Sequence, residues 1–210
     1  KQKTAYEMCG RDWSSDVCSS DLFIICRMKT FTEYLTERAE GAGLTIFDID
    51  DTLVKTDTKV DVVKGGKVVK QLNSHDFTHY KLQPGEELDF GRFRDAKEFF
   101  TKAKPILPMI GKLKHDIATG NKVIMVTARS DFNDRDLFLD TFERFGIDMS
   151  KVHVYRAGNI KDKLPTEVKK KVIIRKVLDN NDYNKAIMYD DALPNLDLFL
   201  SLKDEHPGVK

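Results

Sequence analysis

Four short apolar runs constrain the fold of this chain more than any other feature: LTIF at 44–47, VIMV at 123–126, VHVY at 152–155 and AIMY at 186–189. Each has strand length and is apolar at three or more of its four positions, so a sheet made of them has to be covered on both faces. Between the runs lie segments with helical apolar spacing: 106–118 closed by Gly120, 135–145 closed by Gly146, and 165–178 with Val168, Val172, Ile173 and Val177 on one face. Buried strands alternating with helices predict an α/β fold, a Rossmann-like parallel sheet with helices on both faces.

One segment departs from that rhythm. KVDVVKGGKVVKQL, 59–72, alternates with period two around Gly65-Gly66, the pattern of a β-hairpin. It predicts a protruding flap within a small cap insert of about 56–104 that follows the first strand. Pro105 and Pro108 separate a helix over 95–103 from the one over 106–118. Gly65-Gly66-Lys67 is not a phosphate loop, because GxxxxGK[ST] is absent and no helix follows. His75 and His79 have the spacing of a helical metal pair, but their setting, NSHDFTHYKLQPG, is loop-like.

The start of the chain reads differently. Residues 11–22, RDWSSDVCSSDL, resemble a translated frame of a sequencing adapter, so 1–27 are expected to be a non-native extension. The expected domain then runs over 28–210 as one unit. It opens at Met28 with a short amphipathic helix carrying Phe31, Tyr34 and Leu35. All 3 cysteines, Cys9, Cys18 and Cys26, precede Met28, which leaves that domain no disulfide, zinc–thiolate site or thiol nucleophile.

In open α/β sheets ligands bind beyond the carboxyl ends of the strands, so the residues directly after each run are informative. LTIF leads into Asp48, Asp50, Asp51 and Thr52, VIMV into Thr127, Ala128 and Arg129, and AIMY into Asp190 and Asp191. Residues two apart on extended chain face the same way, so Asp48 and Asp50 are expected to converge while Asp51 points elsewhere. Four close carboxylates repel unless a cation joins them, and oxygen-only donors favour Mg²⁺. With such an ion at Asp48, Asp50, Asp190 and Asp191, one aspartate can attack phosphorus and a second can move the proton. Asp131 and Asp134 are read as caps of the helix near Arg135.

FDIDDTL, VIMVTAR, a lysine-bearing helix and IMYDDALPNL, in that order, resemble the four motifs of the haloacid dehalogenase (HAD) superfamily of aspartate-nucleophile phosphohydrolases. The resemblance spans 44–200. It implies an enzyme, a Mg²⁺-dependent phosphatase that hydrolyses a phosphomonoester through an aspartyl-phosphate. Asp48 would be the nucleophile, Asp50 the general acid/base and Thr127 the phosphate-binding hydroxyl. Asp190 and Asp191 would be the metal-side acids, Asp191 the more direct, with Asn195 where some members carry a third acid. The motif lysine is assigned to Lys169 among Lys161, Lys163, Lys169, Lys170 and Lys171. Thr127, Ala128, Arg129 and Lys169 form the expected substrate-binding set. The pattern is similar to the phosphatase domain of polynucleotide kinases and to HAD-type proteins of tailed phages, with Ala192 in place of an arginine after the acid pair. A polynucleotide 3′-phosphatase is therefore one alternative, and a non-catalytic scaffold or phospho-acceptor another.

With 35 basic and 34 acidic residues the chain offers no bulk attraction to a polyanion. The expected partner is a phosphorylated small molecule or a nucleic-acid end. No apolar run approaches the roughly 20 residues of a membrane span, so a cytoplasmic protein is expected, in the host cytoplasm if phage-encoded.

Overall fold

The computed structural model describes residues 43–73, 76 and 79–210. The expected extension over 1–27, the helix expected after Met28, and His75 lie outside them.

All four apolar runs become strands of one parallel sheet. β1 (Gly43–Phe47), β7 (Lys122–Thr127), β8 (Val152–Arg156) and β9 (Lys185–Tyr189) are ordered β8-β7-β1-β9. β1 is therefore central. Period-two alternation sends its side chains into two different cores. Phe47 joins Val123, Met125 and Val152 on one face, under α1 (Ala96–Lys102), α2 (Leu107–Ala118) and α3 (Arg135–Glu143). Leu44 and Ile46 join Ile124, Val126 and Met188 on the other, under α4 (Thr166–Asp179) and alongside α5 (Leu193–Leu200).

Local chemistry sets the helix ends close to where the sequence places them. Asp95 caps α1 by accepting from the Glu98 amide, and Asp134 caps α3 by accepting from the Leu137 amide. Asp131 does not cap; its carboxylate pairs with Arg156. The buried stripe of α4 is Lys170, Ile174, Val177 and Leu178 rather than the expected Val168, Val172, Ile173 and Val177. The two sets share Val177, and Ile173 packs partly buried against the same core, so the buried face is turned away from Val168 and Val172 toward Lys170 and Ile174.

The insert leaves the sheet through a neck, where β2 (Val54–Lys55) pairs antiparallel with β6 (Lys104–Pro105). Beyond it, β3 (Val60–Lys64) and β4 (Lys67–Leu72) form the expected hairpin, with Gly65 and Gly66 at φ 58° and 75°. Consecutive positive φ values suit a two-residue hairpin turn and favour glycine at both positions. A strand not expected from the sequence, β5 (Glu86–Asp89), pairs with the other edge of β3 and makes the flap three-stranded. Its sequence, EELD, carries little β-propensity and is recruited by the ladder.

The α1–α3 face is packed with aromatic rings. Phe138 is fully buried and lies 4.3 Å from Phe132, 5.4 Å from Phe99 and 5.4 Å from Phe142, centroid to centroid. Phe138→Ala opens a cavity among rings that cannot collapse together, and is expected to cost about 3–5 kcal/mol in urea unfolding.

Candidate functional site

Two chain segments deliver three carboxylates to one place at the carboxyl ends of β1 and its neighbour β9. Asp48 follows β1, and Asp190 and Asp191 follow β9, the strand paired to β1 in register. One carboxylate oxygen from each of these three lies within 4.8 Å of the others. The Asp48 amide donates to the Tyr189 carbonyl at 2.9 Å, which ties the two acid-bearing turns together.

Lys170 sits among the acids. Its Nζ donates to Asp48 Oδ1 at 2.6 Å and to Asp190 Oδ2 at 2.8 Å, and the residue is only 3% exposed. This corrects the assignment of the lysine: the side chain that reaches Asp48 is Lys170, not Lys169. Lys170 falls in register with Ile174, Val177 and Leu178, the stripe α4 turns to the sheet, while Lys169 lies one residue, about 100° of helix, away.

The two acids of the β9 turn differ in what they have left to offer. Asp190 is the more heavily engaged: Oδ1 accepts from Asn195 Nδ2 at 2.7 Å and from the Ala192 amide at 2.9 Å, while Oδ2 accepts from Lys170 and keeps one lone pair. Asp191 is the exposed member of the trio. Asp48 and Asp191 have the most oxygen lone pairs to offer a hard divalent cation, with one more on Asp190 Oδ2, and an all-oxygen donor set suits Mg²⁺.

Asp50 stands apart from this trio. Expected among the metal carboxylates, it instead faces Arg129, with Nε to Oδ2 at 2.8 Å and Nη2 to Oδ1 at 2.7 Å. A guanidinium matches both oxygens of one carboxylate, which explains why Asp50 turns to Arg129 rather than to the other acids. Arg129 also departs from expectation. It is 4% exposed and committed to Asp50, to the Phe93 carbonyl at 3.0 Å and to Thr56 Oγ1 at 3.3 Å, so it is not a free substrate-binding group. Three aromatic rings surround its guanidinium, Phe93, Phe99 and Phe132, at 4.7, 4.9 and 5.5 Å.

Thr127 is fully buried at the end of β7, and its Oγ1 accepts from the Arg129 amide at 3.1 Å. That bond leaves the hydroxyl proton to donate. Ala128 is exposed beside it. Gly158, which the sequence does not single out, lets this turn form: a Cβ there would stand 2.6 Å from both the Ala128 carbonyl and the Ser130 amide. Asp51 has φ 57°, a left-handed conformation that aspartate tolerates better than most residues, and it is exposed and not part of the acid trio.

Burial dominates the electrostatics. It pushes the Asp48 carboxyl from 3.8 up to about 7, against the pull of Lys170, and the charges of Asp190 and Asp50 add to the rise. Burial also raises Asp191, with the Asp190 charge contributing. For Lys170 burial opposes the charge, but Asp48 and Asp190 outweigh it and raise the ammonium above its usual range. Three carboxylates against one ammonium leave an excess of negative charge that a proton or a cation relieves.

No protein-family model matches this chain, and no curated protein matches it either.

The shift of Asp48 has a measurable sign. Between 3.8 and about 7 the folded chain holds a proton that the unfolded chain has released, so Asp48 makes stability fall as pH rises through that window. In chelator-treated protein, Asp48→Asn is expected to flatten this decline and to melt at or above wild type near about pH 8. Thermal scans across the window check this, and a steeper decline in the variant would contradict it.

Proposed function

We propose that the chain is a phosphomonoester hydrolase that works through an aspartyl-phosphate on Asp48. The observation that carries the reading is the buried Asp48 carboxylate, held on one oxygen by Lys170 beside Asp190 and Asp191, with a second acid, Asp50, two residues along and fixed separately by Arg129.

The chemistry depends on which lone pairs are free. Asp48 Oδ1 is engaged by Lys170, so Oδ2 is the oxygen that attacks phosphorus. As the Asp48–phosphorus bond forms, the bond to the leaving oxygen breaks and its electron pair stays on that oxygen, which takes a proton from Asp50. Asp50 then accepts a proton from the water that attacks the aspartyl-phosphate, freeing Asp48 and inorganic phosphate. Arg129 and the Thr56 hydroxyl, the latter at 3.4 Å, both donate to Asp50 Oδ1, so the lone pair left for this transfer is on Oδ2, which accepts from Arg129 alone. Lys170 and the Thr127 hydroxyl supply positive charge and a hydrogen bond to the phosphoryl oxygens.

A divalent cation fits the donor set of Asp48 and Asp191. When bound it screens the repulsion between carboxylate and phosphate. Asp190 serves the site by holding Lys170 beside Asp48, and the lone pair left on its Oδ2 is available to the same cation. A HAD-type phosphatase with Mg²⁺ as cofactor is the form of this reading that the sequence motifs favour.

Hydrolysis of an aryl phosphate with and without Mg²⁺, together with a screen that includes 3′-phosphorylated oligonucleotides, tests the proposal. Metal-dependent turnover is expected to fall by on the order of 10³ or more in Asp48→Asn. Lys170→Met is expected to lose about 10²-fold or more, and Lys169→Met to stay within about twofold, since only Lys170 reaches the acids. Folded wild-type protein without turnover on any phosphoester would sink the reading in favour of a scaffold or phospho-acceptor.

A further inference from the structure

The contacts of Arg129 cross from the sheet into the insert. Its guanidinium makes four hydrogen bonds: two to Asp50 beside β1, one to Thr56 Oγ1 and one to the Phe93 carbonyl. Thr56 and Phe93 both belong to the segment beyond the β2–β6 neck. Phe93 also lays its ring 4.7 Å from the guanidinium carbon, the nearest of the three rings.

Phe93 lies in a 3₁₀ turn, Gly91–Arg94, that is tied in two directions. Toward the flap, Arg92 Nε pairs with Asp61 Oδ2 of β3 at 2.9 Å, and Arg92 Nη1 reaches Glu98 of α1 at 3.4 Å. Toward the sheet domain, Arg94 Nε donates to the Asp131 carbonyl at 3.4 Å, and the Asn133 amide donates to the Arg94 carbonyl at 2.9 Å. A buried guanidinium that loses an acceptor has to find another or shift, because its N–H groups are costly to leave unpaired. Displacing the turn therefore displaces Arg129, and Asp50 moves with it.

We propose that Phe93 is a positioning residue, whose carbonyl and ring hold Arg129 so that Asp50 is set for proton transfer only when the insert is docked on the sheet domain. This deepens the reading of Asp50 as general acid/base and rests on it. The flap is then more than a cover, because whatever holds it against the sheet domain also sets the acid.

A purely structural Phe93 would, if removed, damage turnover of every ester alike. A positioning Phe93 acts on proton transfer to the leaving oxygen, so its removal discriminates between esters. The test compares kcat/KM, which reports events up to phosphoryl transfer, for an aryl phosphate with a stable anionic leaving group and for an alkyl phosphate whose oxygen has to be protonated. In the full chain with Mg²⁺, Phe93→Leu is expected to lose about tenfold or more in kcat/KM on the alkyl ester and to stay within about twofold on the aryl ester. Phe93→Tyr, which keeps the ring, is expected to restore the alkyl ester. Arg92→Ala, at a half-exposed residue, cuts the flap tie without touching the core and is expected to shift the ratio in the same direction.

A second measurement does not depend on turnover. The Arg129 Nε–H resonance, assigned by its loss in Arg129→Lys, is expected to exchange slowly in wild type and faster in Phe93→Leu and Arg92→Ala. Equal loss on both esters, or an unchanged ratio with an unchanged Nε–H signal, overturns the proposal. Wild-type protein inactive on both esters would refute the phosphatase reading instead, and the Nε–H comparison would then decide alone whether Phe93 holds Arg129.

Discussion

The ammonium of Lys170, clamped between Asp48 and Asp190, is the interaction on which the site is built. It joins the end of β1 to α4 and to the end of β9, with 122 positions between Lys170 and Asp48 and 20 between Lys170 and Asp190. Removing three ionised groups from water is costly, and the cost is offset only when each finds a partner at close range. Here the pairing is asymmetric. Lys170 uses two of its three donors and Asp190 accepts three hydrogen bonds, while Asp48 keeps an oxygen to spare and Asp191 stays exposed. Asp48 is therefore the one carboxylate of the trio that is both buried and under-coordinated.

A second pair divides the work. By turning Asp50 away from the acid trio, Arg129 gives two carboxylates only two residues apart separate cationic partners. Their environments differ accordingly: Asp48 is buried against a lysine, whereas the Asp50 side chain keeps 31% of its surface accessible against a buried guanidinium. Two acids held apart by different partners can take different roles, which a shared ion would blur. The aromatic lining around Arg129 belongs to the same core that packs α1 and α3 on the sheet, so the acid arrangement and the core are mechanically continuous.

Much of this was legible in the sequence. The four apolar runs marked the strands because a sheet buried on both faces needs near-continuous apolar stretches, and the acids stood where such a sheet exposes its strand ends. The hairpin was legible from paired glycines. What escaped was set by tertiary context. Lys170 could have been found from its spacing to Ile174, Val177 and Leu178, since a charge lying in a buried stripe requires a buried partner, but the weakly patterned helix offered Val168, Val172 and Ile173 as a rival face. The turn of Asp50 toward Arg129 spans 79 positions and depends on which rotamer each side chain adopts, which local spacing does not encode. β5 forms because the flap offers it an edge, not because its residues prefer extended chain.

The two-residue ladder at the neck has a bearing on how the chain folds. β1 has to find β7 across the whole insert, and the entropic cost of closing a loop grows with the length of flexible chain between its ends. Once Val54–Lys55 meets Lys104–Pro105, the excursion leaves and returns at a single point, and the search for β7 sees only the short stretches outside the neck. The flap can then grow, shrink or be exchanged with little effect on the topology of the sheet. What such a change alters is the docking of the Gly91–Arg94 turn, and through it the environment of Arg129.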